Sequence, residues 1–151
     1  MKRTWIVTFV FLLVLPSFPA VAQQGSGVRV TGTTVTRVNR FRVNPGQRGA
    51  FDRDLMDNLI PIWEEYKKAG ILTDYAVNNN VTQGNQNDWN VAVILTYPNF
   101  AALDNLGQRV NPIQLKHYGS QEKLQAAAQR RNEIRTAVQS YLVQAQRYSR
   151  Q

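Results

Sequence analysis

Along the chain, apolar positions change period several times, and each change marks an element. From Thr33 to Val43, the residues Val35, Val38, Phe41 and Val43 stand among Thr and Arg in an imperfect alternation that predicts a strand, closed by Asn44-Pro45-Gly46. Between Gln47 and Ala69 the spacing becomes three and four. Phe51, Leu55, Leu59, Ile62, Trp63 and Tyr66 then form one stripe of a long helix. Asp52, Asp54 and Asp57 lie early in that helix, Lys67 and Lys68 end it, and Gly70 follows, which is the polarity the helix dipole favours. Pro61 predicts a kink. Ile71 to Val81 reads as a second strand, Thr82 to Asp88 as a hairpin loop, and Trp89 to Tyr97 as a central strand covered on both faces.

Beyond Tyr97, Asn99 is placed to cap a short helix through Leu106, and Asn111-Pro112 predicts an interruption. The stretch from Gly107 to Gly119 therefore reads as a loop long enough to lid a cavity. Ser120 to Thr136 is a polar helix with a thin contact stripe of Leu124, Ala127, Ala128 and Ile134. Val138 to Tyr148, with Tyr141, Val143 and Ala145 alternating against polar residues, predicts a fourth strand. The resulting order, β-α-β-β-α-β, is an α+β ferredoxin-like arrangement with an antiparallel sheet.

The first residues follow a different logic. Lys2 and Arg3 precede an apolar run from Trp5 to Leu15, and Ala20-Val21-Ala22 supplies small residues for cleavage, so residues 1–22 read as a secretory signal peptide. Pro16 and Pro19 break the run well short of the roughly 20 apolar residues that a membrane span needs. With no cysteine in the chain, neither a lipid-anchoring cysteine nor a disulfide is available. The expectation is an exported protein, periplasmic or extracellular, with no membrane anchor after cleavage. Residues 23–32, with Gly25-Ser26-Gly27, read as a flexible lead-in, and residues 33–151 as one domain.

Charge narrows the partners only slightly. The formal net charge is +8, and cleavage removes Lys2 and Arg3. Such a surplus suits an anionic polymer of the cell envelope, whereas export argues against nucleic acid.

Chemical motifs are sparse. The chain has no Gly-x-Ser-x-Gly, its glycines form no phosphate-binding loop, and one histidine without cysteine is too few ligands for a stable zinc site. No metal and no cofactor is expected. The polar side of the long helix carries Glu64 and Glu65 beside Lys67 and Lys68, which is surface pairing. An aromatic set remains: Trp63, Tyr66, Tyr75, Trp89, Tyr97 and Tyr118 stand on elements that the fold brings together. Tyrosine and tryptophan wall a pocket for a flat or amphipathic molecule, and they equally serve as core. Arg37, Arg40 and Arg42 on the first strand offer a cationic end for an acidic ligand, Arg40 foremost.

Three segments carry a family resemblance. Val38-Asn39-Arg40-Phe41-Arg42-Val43-Asn44-Pro45-Gly46, the helical Leu59-Ile60-Pro61-Ile62-Trp63 and Tyr97-Pro98-Asn99-Phe100-Ala101-Ala102-Leu103 resemble the dimeric α/β-barrel superfamily, in particular NIPSNAP-like and antibiotic-biosynthesis-monooxygenase-like domains of exported bacterial type. The resemblance covers about residues 35–106. It implies a homodimer whose sheets pack into a barrel, with a cavity between each sheet and its helices. Oxygenase members combine Asn, Trp and Arg or His around that cavity, so the resemblance makes Asn39, Trp63 and His117 the catalytic candidates of a cofactor-independent or haem-dependent monooxygenase. The reading that asks least is an exported small-molecule-binding domain of this type without an assigned reaction; a non-catalytic envelope protein holding anionic polymer is a further alternative.

Overall fold

The computed structural model describes residues 28–82 and 88–150. The expected signal peptide at 1–22 and most of the expected 82–88 hairpin loop lie outside them. Strands β1 (Val28–Thr31), β2 (Val35–Val43), β3 (Asp74–Asn79), β4 (Val91–Tyr97), β5 (Arg135–Gln144) and β6 (Arg147–Arg150) form two sheets. The main sheet has the order β3-β4-β2-β5 with every neighbour antiparallel. This is the ferredoxin-like order. The fourth strand expected near Val138 is β5, beginning three residues earlier and pairing with β2 through a bulge at Val138.

Helix α1 spans 48–68 and packs over the sheet. It is α-helical at Arg48–Asp54, widens to a π-helical turn at Leu55–Leu59 and resumes at Ile60–Lys68. Pro61 has no N–H to give, and its ring crowds the carbonyl four residues back. The turn ahead of it opens, with the Ile60 N–H donating to the Leu55 carbonyl. The expected kink at Pro61 is thus realised as a wide turn just before it.

Register separates the two faces of the sheet. Val35, Arg37, Asn39, Phe41 and Val43 of β2 lie level with Val91, Val93, Leu95 and Tyr97 of β4 and with Tyr75 and Val77 of β3, on the face the helices cover. There Ile62, Trp63, Tyr66, Ile71, Leu72, Val93, Tyr97 and Ala102 form the main core, and Phe51, Val43, Val91 and Ile134 a second cluster. Thr36, Val38 and Arg40, with Ala92, Ile94 and Thr96 of β4 and Gln139, Tyr141 and Val143 of β5, make up the opposite face, which no helix among the described residues covers. The central strand is therefore packed by helices on one side only.

Two expectations are overturned. Residues 107–119 are not a loop: helix α2 (Leu106–Tyr118) runs straight through Pro112. Leu106, Val110 and Ile113 recur at helical spacing and pack on the core, and that burial outweighs the hydrogen bond that Pro112 removes. Gly119, at φ 82, then closes the helix as a left-handed C-terminal residue. A lid made of a flexible 107–119 loop is thereby excluded. The lead-in is shorter than expected as well, because Val28–Thr31 pairs antiparallel with Arg147–Arg150 and prolongs the β2–β5 ladder as a narrow ribbon. Gly32 makes that joint: its φ is 134, and any Cβ there would strike the Ala145 carbonyl.

Smaller shifts concern the ends of elements. The second strand starts at Asp74, since Ile71 and Leu72 turn into the core instead of joining the sheet. Trp89 precedes β4, where the Asn90 side chain bonds both the N–H and the carbonyl of Val43 in place of a backbone pair. The short helix after Asn99 is a 3-10 turn, Phe100–Leu103, capped by the Asn99 carboxamide. Helix α3 (Gln121–Ile134) starts on the Ser120 cap.

Candidate functional site

The aromatic residues divide between the two sides of the sheet. Trp63, Tyr66 and Tyr97 are buried on the helix side at 5%, 6% and 3% exposure, and Tyr75 and Tyr118 pack against them. The Trp63 and Tyr75 rings meet at 5.2 Å. These five converge, and they fill the space between sheet and helices as packed core. Trp89 and Arg40 belong elsewhere: the Arg40 guanidinium lies between the Trp89 and Tyr141 rings, 5.0 and 5.3 Å from their centroids, and donates to Gln139. The stack sits on the uncovered face.

Asn39, Trp63 and His117 each have separate engagements. Asn39 accepts a hydrogen bond from the Ser140 hydroxyl at 2.8 Å on the helix side of β2. Trp63 is held against Tyr75. His117, near the end of α2, bonds Asn58. Arg37, beside Asn39 on that strand, rests over the Tyr97 ring at 5.8 Å.

Burial sets the proton affinities of the core phenols. Tyr66 is pushed up to about 12 by burial, with Gln114 beside its hydroxyl giving partial relief. Tyr97 is also raised by burial. Tyr75 reaches about 12 chiefly because its hydroxyl donates to Glu64 at 2.6 Å, a bond lost on ionisation. Arg135 is a half-buried cation the sequence pattern did not single out. Its guanidinium lies 4.0 Å from the Phe41 centroid and 5.8 Å from that of Phe51, and burial, aided by Arg131, pushes it down to about 10.

Between the outer sides of α1 and α2 is a cleft of about 620 Å³. Pro61 and Ile62 from α1 and Pro112 and Ile113 from α2 give it apolar walls, and Glu65, Lys116 and His117 stand around it. Each helix contributes its proline to the lining. Glu65 is held low mainly by its hydrogen bond to Lys68 at 2.6 Å.

A polar chain runs from this cleft into the protein. His117 Nε2 lies 3.1 Å from Asn58 Oδ1, and Asn58 Nδ2 donates to Asp54 Oδ1 at 2.9 Å. Asp54 accepts two bonds from Arg131, at 2.7 and 3.1 Å, and Arg131 also reaches the Tyr118 hydroxyl. The wide turn at Leu55–Leu59 carries Asn58. All three helices contribute to the chain. Of its members His117 and Tyr118 were singled out from the sequence, the latter only as one of the aromatic set. Asp54 and Asn58, one helical turn apart and just before Pro61, are the signal that was available.

No family model matches the chain, and no curated protein matches it. Solved structures do. The crystal structure of HapK from Hahella chejuensis superposes with a TM-score of 0.50 at 12% identity, over 74% of this chain and 91% of that one. A dimeric ferredoxin-like protein from an uncultured marine organism gives 0.49 at 10% identity, over 76% and 96%. An ethyl tert-butyl ether d (ethd) family protein from Bacillus halodurans gives 0.44 at 12% identity, over 75% and 98%. Strand order and helix placement make this chain an α+β domain of ferredoxin-like fold, in agreement with the dimeric α/β-barrel resemblance of residues 35–106.

Proposed function

We propose that this chain is a small-molecule-binding domain, carried out of the cytoplasm by its leader and working as a homodimer. Its ligand is a compact, largely apolar or aromatic molecule with one polar end. The observation that carries this reading is the cleft between α1 and α2, where apolar walls of Pro61, Ile62, Pro112 and Ile113 stand beside the polar groups Lys116 and His117. Apolar walls with a few placed polar groups are what such ligands need. The space under the helices, filled by Trp63, Tyr66 and Tyr97, supports core packing better than a ligand cavity.

The homodimer rests on the uncovered face of the sheet. Val38, Ala92, Ile94, Tyr141 and Val143 lie together there without a helix of the described residues over them, and an apolar sheet face is stable when another layer covers it. A second copy supplies that layer with the same chemistry.

Native mass spectrometry of the exported chain tests both parts, alongside an Ile113→Trp variant whose indole fills the cleft. The expected result is a dimer carrying a small adduct that the variant lacks. A bare monomer, with no molecule from an aromatic fragment library perturbing Ile62 or Ile113, would overturn the reading.

A further inference from the structure

Within the proposed cleft, and resting on that reading, the polar chain behind His117 determines which nitrogen of the imidazole carries the proton. An ionised carboxylate only accepts hydrogen bonds, and a guanidinium only donates. Asp54, already accepting from Arg131, therefore compels Asn58 to turn its Nδ2 amino group inward, at 2.9 Å from Asp54 Oδ1. The other end of the same carboxamide, Oδ1, is an acceptor, and it faces His117 Nε2 at 3.1 Å. The neutral imidazole must then hold its proton on Nε2. Nδ1 is left with a lone pair, and among the described residues it has no hydrogen-bond partner.

We infer that Asn58 is a positioning residue that locks His117 as the Nε2–H tautomer, so that the cleft selects ligands whose polar end donates a hydrogen bond, an O–H or N–H, to Nδ1. The wide turn before Pro61 presents Asn58 to Asp54 on its own helix and to His117 on α2 at once. The T-shaped contact of the imidazole with Tyr118, at 4.9 Å and 84°, restrains the ring from turning over. Tyr118 is itself tied to Arg131, so the same arginine steadies both the acceptor chain and the ring that backs it. A ligand bearing only acceptors, such as an ether or ester, meets Nδ1 with two lone pairs opposed. A hydroxyl meets it with a hydrogen bond.

The experiment joins imidazole NMR to one matched pair of probes. Long-range proton–nitrogen correlation on the full chain, with the imidazole neutral, reports the tautomer directly. Nδ1 is expected at the unprotonated position in the wild-type chain, and Asn58→Leu is expected to move both nitrogens toward averaged values. The probes are 4-ethylphenol and its methyl ether, titrated while the Ile62 and Ile113 methyls are followed. The phenol is expected to bind roughly fivefold more tightly, the worth of one net hydrogen bond, and His117→Ala to remove that preference. A proton on Nδ1 in the wild-type chain, or equal affinity for the two probes, overturns the inference. If neither probe shifts the methyls, the cleft fails as a binding site and donor selection fails with it, while the tautomer is still decided by the imidazole spectrum.

Discussion

Arg131 on α3 grips Asp54 on α1 with two hydrogen bonds, at 2.7 and 3.1 Å, in a place where both side chains are largely hidden from water, at 14% and 16% exposure. Here a carboxylate and a guanidinium have each lost most of their hydration and depend on each other for it. Removing only one partner is costlier than removing both. Asp54→Ala is expected to lower stability by about 3 kcal/mol, whereas Asp54→Ala combined with Arg131→Met should recover part of that loss. Urea unfolding of these chains together with the Arg131→Met single variant measures it, and additive losses would show that the pair is not coupled.

The uncovered sheet face yields a second outcome. Ile94 lies on β4 level with Val38 on β2, at the centre of the apolar strip. Ile94→Asp is expected to convert a dimer to a folded monomer, because a carboxylate at the middle of an apolar interface loses its water. Sedimentation together with circular dichroism checks this. A variant that stays dimeric moves the interface elsewhere.

Trp63 is the test of core against catalysis. It is 5% exposed and packs against Tyr75, so Trp63→Ala should cost about 3–5 kcal/mol. Trp63→Phe combined with Asn39→Ala should leave a folded protein whose cleft still binds. Loss of ligand binding in that double variant would return the site to the space beneath the helices.

The phenols supply a pH-dependent signature. Tyr66 and Tyr75 are both raised to about 12 in the folded chain, against an ordinary value of 10.0. Above pH 10 the unfolded chain has given up those protons while the folded chain keeps them. Their stabilisation is thus complete below pH 10 and lost as pH rises toward 12. Arg135, pushed down to about 10, acts in the opposite direction across this window, so melting temperature is the wrong readout. Phenolate absorbance is the right one. Late-titrating phenols should appear in the wild-type chain, and one fewer in Tyr66→Phe; a single step near 10 for every tyrosine would contradict the burial of Tyr66.

At the ribbon joint, Gly32→Ala should unpair β1 from β6, since the added methyl meets the Ala145 carbonyl and the backbone is at φ 134. Hydrogen exchange at the Val30 amide reads the effect. Protection there should fall to that of a free chain end while β2 keeps its own.

Much of this was legible before any coordinates. The stripe from Phe51 to Tyr66 named the face of α1 that is buried, and the alternation of Val91, Val93, Leu95 and Tyr97 named the core side of β4, because burial of one face imposes a period that local sequence records. Past the bulge at Val138, Tyr141 and Val143 still share one face, as their alternation predicts, and it is the face away from the helices. Proline misled at 112. A local rule reads it as a break, and only the core contacts of Leu106, Val110 and Ile113 reveal why the helix continues. Gly119 was the overlooked clue, marking the end of a helix and not the end of a loop.

By itself the sequence determined the order of the four main-sheet strands and of helices α1 and α3, the apolar faces of α1 and β4 and so the ferredoxin-like class, all of which follow from periodicity within short windows of chain. The site was beyond its reach. Whether Trp63, Tyr66 and Tyr97 wall a cavity or fill one depends on how closely α1 settles on the sheet, and residue type is the same in both cases. Nor could a linear reading join His117, Asn58, Asp54 and Arg131, which lie on three helices and meet only because a wide turn before Pro61 aims Asn58 between its neighbours. Hydrogen bonds between distant residues depend on distances of a few tenths of an ångström, which only the packing of the helices against one another decides.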